Sequence, residues 1–160
     1  MDGPRVYRLR DLGEPALADS SPVRRPTVPL LTRSAERHLG VIDTGSPVSV
    51  TSIGMLRRAG IDVESDPLME VPLGLGGRFD RVPVFGLSLG LLSPDLSTIE
   101  EWSLQIACLR VWSFGFDVLL GQRGWFDTFT TTFGEDRFAV ENRAAFDLRF
   151  RPGGTDSGSP

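Results

Sequence analysis

Asp43, Thr44, Gly45 and Ser46 follow the apolar pair Val41-Ile42 and precede Pro47-Val48-Ser49-Val50. An aspartate that ends a β-branched apolar run sits where a buried strand turns out into a loop. A carboxylate there is partly desolvated, so its surroundings set how tightly it holds a proton, and it can serve as a general base or acid. Thr44 and Ser46 add hydroxyls that can bond the backbone or the carboxylate. Gly45 lets the backbone approach the carboxylate closely or take a positive φ. The same four residues also fit a strand that ends in an Asx or Ser/Thr turn, with no chemistry at all.

Other chemistries have little to draw on. The chain of 160 residues holds one histidine, His38, and one cysteine, Cys108. A zinc site, a Cys-His pair or a Ser-His pair would each depend on His38. Arg37-His38-Leu39 places that side chain on a strand with a charged face, where it is expected to be solvated. Leu104, Ile106 and Cys108 share one face of a strand, so Cys108 reads as a buried small hydrophobe rather than a nucleophile. One cysteine allows no intrachain disulfide, which fits a reducing compartment. Gly74-Leu75-Gly76-Gly77 is glycine-dense, but no Lys-Ser/Thr and no helix follow it, so it is a poor phosphate loop.

Net charge is −4, and all 17 basic residues are arginine. The charge is uneven: residues 1–37 carry seven Arg against five acids, and the remainder ten against sixteen. Neither part is basic enough for a nucleic-acid partner. No run reaches the roughly 18 apolar residues of a membrane helix, and Met1 to Arg10 holds three Arg where a signal peptide would be apolar. A cytoplasmic protein with no membrane partner is the expectation.

The elements that must position Asp43 are mostly strands. Residues 1–27 read as a proline-rich N-terminal arm, partly disordered, with Val6-Tyr7-Arg8-Leu9 as its strand-like piece. Pro29-Leu30-Leu31 and His38 to Ile42 form a hairpin that feeds the aspartate. Val48 to Thr51 continues as a strand, and Ser52 caps a short helix over Ile53 to Ala59, stopped by Gly60. Met69 to Leu73 and Arg78 to Val84 flank the glycine-rich tip as a hairpin. Val84 to Leu92 alternates as a strand, Ser93 to Glu101 is a loop, and Trp102 to Trp112 is a strand. Asp117 to Leu120 is a buried strand ending at Gly121. Gln122 to Phe129 is expected as a second short helix, with Trp125, Phe126 and Phe129 inward. Thr130 to Phe133 and Phe138 to Val140 form a hairpin about Gly134-Glu135-Asp136, and Ala144 to Phe150 reads as a last strand. Residues 151–160 have the composition of a disordered tail. The whole is an all-β barrel pattern with one domain over residues 28–150.

In this order the pieces resemble a retropepsin-like aspartic protease, the single-domain class of retroviruses and bacterial relatives. The resemblance runs from about Val28 to Val140. It rests on Asp43-Thr44-Gly45-Ser46 as the catalytic loop, Gly74-Leu75-Gly76-Gly77 as the tip of a flap, and Leu119-Leu120-Gly121 as the apolar segment beside the loop. It implies an acid-protease barrel with a flap hairpin, catalysis by Asp43 with Thr44 and Gly45, and substrate contacts from Ser46, from Gly74, Leu75, Gly76 and Gly77, and from Leu119, Leu120 and Gly121. It also implies a peptide or protein substrate and a mechanism with no metal or cofactor. Two carboxylates share one proton and activate a water. Asp127-Thr128-Phe129 lacks the glycine and Asp117 precedes the wrong residues. The second carboxylate is therefore expected from Asp43 of another copy in a homodimer, with Thr44 bonding across the axis. Gln122-Arg123-Gly124 departs from the family's usual Arg-Asp or Met-Asp. The stretch between the flap and Leu119, with its loop at Ser93 to Glu101, is longer than in compact retroviral enzymes, and the long N-terminal arm has no family counterpart. Two alternatives are a silent relative that binds peptides or dimerises, and a regulatory subunit whose arm binds a partner.

Overall fold

The computed structural model describes residues 3–13, 23–75 and 78–150. The expected tail at 151–160, most of the expected disorder in the arm, and Gly76 and Gly77, expected at the tip of a flap, lie outside them. The strands are β1 (Arg5–Arg8), β2 (Arg10–Asp11), β3 (Arg24–Arg25), β4 (Thr27–Thr32), β5 (Arg37–Ile42), β6 (Ser49–Ser52), β7 (Met69–Leu75), β8 (Arg78–Leu92), β9 (Ile99–Leu109), β10 (Val118–Leu120), β11 (Phe129–Phe133) and β12 (Arg137–Asn142). Two helices, α1 (Ile53–Arg58) and α2 (Arg143–Arg149), complete the described elements.

The main sheet runs β4-β5-β10-β6-β9-β8-β7, and β8 also pairs with β4, so six strands form a ring with β7 attached outside it. β10 is parallel to β5 and antiparallel to β6, and β6 is parallel to β9. β8 is one continuous strand. From Arg78 to Pro83 it pairs with β7 alone, and from Val84 onward it also pairs with β9. A second sheet, β1-β12-β11, packs against the ring.

Alternation decides what the ring encloses. Val28 and Leu30 of β4, Leu89 and Leu91 of β8, Ile106 of β9, and Val118 and Leu120 of β10 are buried in the main core with Trp125, Phe129 and Phe138. A smaller cluster gathers Leu73, Val82 and Val84 of the β7–β8 ribbon with Val50, Ala107 and Leu109, and Leu119 packs on it. Met55 and Leu56 seat α1 on the main core, and Ser52 Oγ accepts the Met55 amide at 3.0 Å as its N-cap. Tyr7 brings β1 into the same core. It stacks on Phe138 at 5.4 Å and donates its hydroxyl to Leu92 O at 2.8 Å, and burial pushes the phenol up to about 12.

Several expectations are corrected. Gln122 to Phe129 is a succession of turns, not a helix, because Gly124 takes φ +100° and Asp127 Oδ2 accepts its amide. Trp125 and Phe129 still point inward, since a compact turn brings i and i+4 together as a helix does. Ala144 to Phe150 is not a strand. Asn142 caps the Ala144 amide at 3.0 Å, and α2 follows with the alanines that favour it. The loop after β8 ends sooner than expected: Ile99 already pairs with Leu92, and β9 stops at Leu109 rather than Trp112. His38 is not solvated. It shares the inward face of β5 with Gly40 and Ile42 and is only 5% exposed. Its Nδ1 lies 3.7 Å from Asp117 and its Nε2 3.8 Å from Glu36.

Trp125 is fully buried, donates Nε1–H to Thr131 Oγ1 at 3.0 Å and lies 4.6 Å from the Phe129 ring. Trp125→Ala should cost roughly 3–5 kcal/mol of unfolding free energy, read as a lower denaturant midpoint with the slope unchanged. A loss under about 1 kcal/mol would mean the site collapses around the void.

Candidate active site

Asp43 is the first residue past β5, and it is held from the side by β10. Its amide donates to Leu120 O at 2.9 Å, continuing the parallel ladder that pairs Leu119 with Val41 and Leu120 with Ile42. One carboxylate oxygen, Oδ1, accepts the Gly45 amide at 2.9 Å, the Asx turn that the sequence allows. The carboxylate is half-buried, while Thr44 and Gly45 are exposed.

The residues behind β10 bind the loop from below. Gln122 N–H donates to Ser46 O at 2.8 Å, Arg123 N–H donates to Pro47 O at 3.2 Å, and Gln122 Nε2 donates to Thr44 O at 2.8 Å. Ser49, fully buried, accepts the Gly121 amide at 3.0 Å and donates its hydroxyl to Arg123 O at 2.7 Å. Ser46 Oγ donates to Val48 O at 2.7 Å. Gly121 has no alternative: a Cβ there would sit 2.3 Å from Val48 O and 2.8 Å from Ser46 O. Gly124 is equally constrained, since a Cβ would lie 2.8 Å from Ser49 Oγ at a positive φ.

Asp43 opens onto a cleft of about 510 Å³, lined also by Thr44, Leu119, Phe114, Phe116 and Phe133, with Arg25 at its edge. Phe114 stacks on Phe116 at 5.2 Å, and Trp112 fixes the segment by donating Nε1–H to Phe116 O. This aromatic segment, Ser49 and Gln122 were missed in the sequence. The segment has no periodicity to mark it, though its aromatic density just ahead of β10 was a usable signal.

The other expected site residues fall in three places. Leu119 lines the cleft. Ser46 and Gly121 lie in the backbone weave under the loop, and Leu120 is buried in the main core. Gly74 and Leu75 end β7, and next to them Leu73 packs with Val50 and Leu119. Asp127 and Asp117 serve structure: the first binds the Gly124 amide, and the second accepts the Leu39 amide at 2.9 Å. Burial pushes the Cys108 thiol up, consistent with an inert side chain. Among the described residues no three His, Cys, Asp or Glu gather as a metal site, and no helix is long and apolar enough to cross a membrane.

A retropepsin-like aspartic protease from Rickettsia conorii has a similar solved structure. The TM-score is 0.56 at 11% identity, over 86% of this chain and 89% of that one. The chain has the retropepsin-like fold. Weaker similarities reach the retroviral protease-like domain of Ddi1 from Leishmania major (TM-score 0.42, 14% identity, 62% of this chain and 73% of that one) and the EIAV protease complexed with the inhibitor HBY-793 (0.36, 18%, 61% and 82%). The sequence matches no protein-family model and no curated protein. In this retropepsin-like fold β1 of the arm pairs along β12, from Arg5 with Val140 to Arg8 with Arg137.

Gly121→Ala forces a methyl into backbone atoms that cannot move aside. It should cost about 1–3 kcal/mol or more and speed amide exchange at Gly45. Gly115→Ala is the control, because a Cβ there meets nothing nearer than 3.8 Å. Equal melting temperatures for the two variants would refute the close-approach argument.

Proposed function

We propose that the chain is an aspartic endopeptidase that works as a homodimer, with one Asp43 from each copy. The observation that supports this most is the pairing of a rigidly held, half-buried carboxylate with an aromatic cleft beside it. The Leu120 O contact fixes where Asp43 stands, and Phe114, Phe116, Leu119 and Phe133 offer an apolar wall for a substrate side chain. Thr44 and Gly45, exposed beside the carboxylate, are the proposed axis contacts.

The chemistry needs a base and an acid at once. The ionised Asp43 takes a proton from a water, whose oxygen bonds to the scissile carbonyl carbon. The protonated Asp43 of the second copy gives its proton to the carbonyl oxygen, which leaves a neutral tetrahedral diol. Collapse of the diol breaks the C–N bond, the amine leaves with a proton, and the shared proton returns to the pair. A single chain has one Asp-Thr-Gly sequence, and the proposal takes the second carboxylate from another copy. The ribbon of β7 and β8 is the proposed lid, with Gly74, Leu75, Gly76 and Gly77 at its tip.

Asp43→Asn keeps the shape of the side chain but removes the base. Peptide hydrolysis should fall by roughly 10³-fold or more while the unfolding midpoint holds. Undiminished turnover would end the protease reading. Mixing tests the shared site: nine mutant chains per wild-type chain leave about one tenth of wild-type chains with a wild-type partner, so activity per wild-type chain should drop about tenfold. Activity that survives proven heterodimer formation would show that one carboxylate suffices. A peptide-like inhibitor should slow hydrogen exchange at Gly74 and Leu75. Unchanged exchange with demonstrated binding would count against a lid.

A further inference from the structure

A second cleft, of about 730 Å³, lies away from Asp43, between β1 and β4. Its wall includes five consecutive residues, Val6 to Arg10. Consecutive side chains of a strand point to opposite faces, so a cleft touching all five runs along an edge of the strand rather than a face. The edge toward β12 is occupied. Leu9 N–H donates to Asp136 O there, and the alternation of an antiparallel ladder places Arg5 and Tyr7 on the same edge. The N–H and C=O groups of Val6 and Arg8 therefore point the other way, along an edge that pairs with no described strand.

The cleft is also cationic. Arg8, Arg10 and Arg37 line it, all exposed; Arg8 acts on the Asp136 carboxylate, and none of the three makes a close ion pair or side-chain hydrogen bond with a described residue. In a chain of net charge −4, three of the seven arginines of residues 1–37 meet here. Thr27, on the β4 wall, is 2% exposed, and its Oγ1 is buried without a hydrogen-bond partner. A native protein rarely buries a hydroxyl unmatched, and this one belongs to a residue of the cleft wall.

We propose that this cleft docks an extended, acidic polypeptide segment, which adds as a strand along β1. The outward amides and carbonyls of Val6 and Arg8 would pair with its backbone, as in other strand-addition complexes. Its carboxylates would meet the Arg8, Arg10 and Arg37 guanidiniums, whose planar forks suit them. Thr27 would gain the partner it lacks. The docking does not depend on the protease reading, and binding is measured on the Asp43→Asn chain so that failure of either is seen separately.

The probe is a capped octapeptide alternating glutamate and valine, titrated calorimetrically into the full-length chain. The same peptide with lysine in place of glutamate and inorganic phosphate are compared with it. The glutamate peptide should bind, bind more weakly as salt rises, and protect the Val6 and Arg8 amides from exchange. The Arg8→Ala/Arg37→Ala variant should lose at least tenfold in affinity. Thr27→Val should weaken binding severalfold without lowering the melting temperature of the free protein, since valine leaves no unmatched hydroxyl. Equal binding of the lysine peptide, or phosphate binding as tightly as the glutamate peptide, would overturn the proposal. So would binding without protection of Val6 and Arg8, or self-association through this edge that Arg8→Ala abolishes. No binding by the glutamate peptide at low salt would overturn it as well.

Discussion

The site depends on how closely one strand end approaches one loop. β10 is three residues long and is wedged between β5, which it meets in parallel, and β6, which it meets antiparallel. Past its end the chain must slip beneath the backbone of Ser46 to Val48, where only a residue without a side chain fits. That clearance lets the Leu120 carbonyl reach the Asp43 amide and lets Gln122 and Arg123 reach the carbonyls of Ser46 and Pro47. Backbone bonds of this kind cost little entropy once the strands are placed, because the groups are already fixed by the ladder. Precision at the carboxylate comes from the sheet and not from the loop's own residues.

The buried serine belongs to the same arrangement. Ser49 sits where the weave would leave the Gly121 amide unmatched; its hydroxyl accepts from that amide and donates to the Arg123 carbonyl, which also takes the Ser49 backbone N–H at 3.1 Å. An apolar residue of similar size would strand the Gly121 amide in the interior. On the far end of the same strands, Asp117 accepts the Leu39 amide and, through its carbonyl, the Thr51 hydroxyl. β5, β6 and β10 are thus tied at both ends, with the apolar ladder between.

The sequence carried the strands flanking Asp43 well, because β-branched alternation, the Ser52 cap and the glycines after α1 and β10 all act locally. It carried the region after Gly121 badly. Trp125 and Phe129 have helical spacing, yet the positive φ of Gly124 diverts the chain, and the room for a side chain there is taken by Ser49 and Leu104, which are distant in sequence. α2 was hidden for the opposite reason. Alanines, Asn142 as cap and the Arg143–Asp147 pair favour a helix, but alternating apolar residues over Ala144 to Phe150 imitate a strand. The burial of His38 followed from the face of β5 it shares with Gly40 and Ile42, a face that the charged neighbours disguised. The aromatic wall of the cleft depends on Trp112, Phe114 and Phe116 folding onto each other, which no periodicity announces.

The ribbon of β7 and β8 bears on how the unliganded protein divides its time. Leu73, 6% exposed, is seated with Val50, and Leu119 packs on the same cluster. Lifting the ribbon would return at least Leu73 and its neighbour Val82, also buried in that cluster, to water, at about 1.5–3 kcal/mol for each side chain. By the Boltzmann factor, no more than roughly one molecule in a hundred would then hold the ribbon raised at any moment. The seated state is the resting state before anything binds, and a ligand that enters from that side meets a small raised minority whose scarcity weakens its apparent affinity in the same proportion.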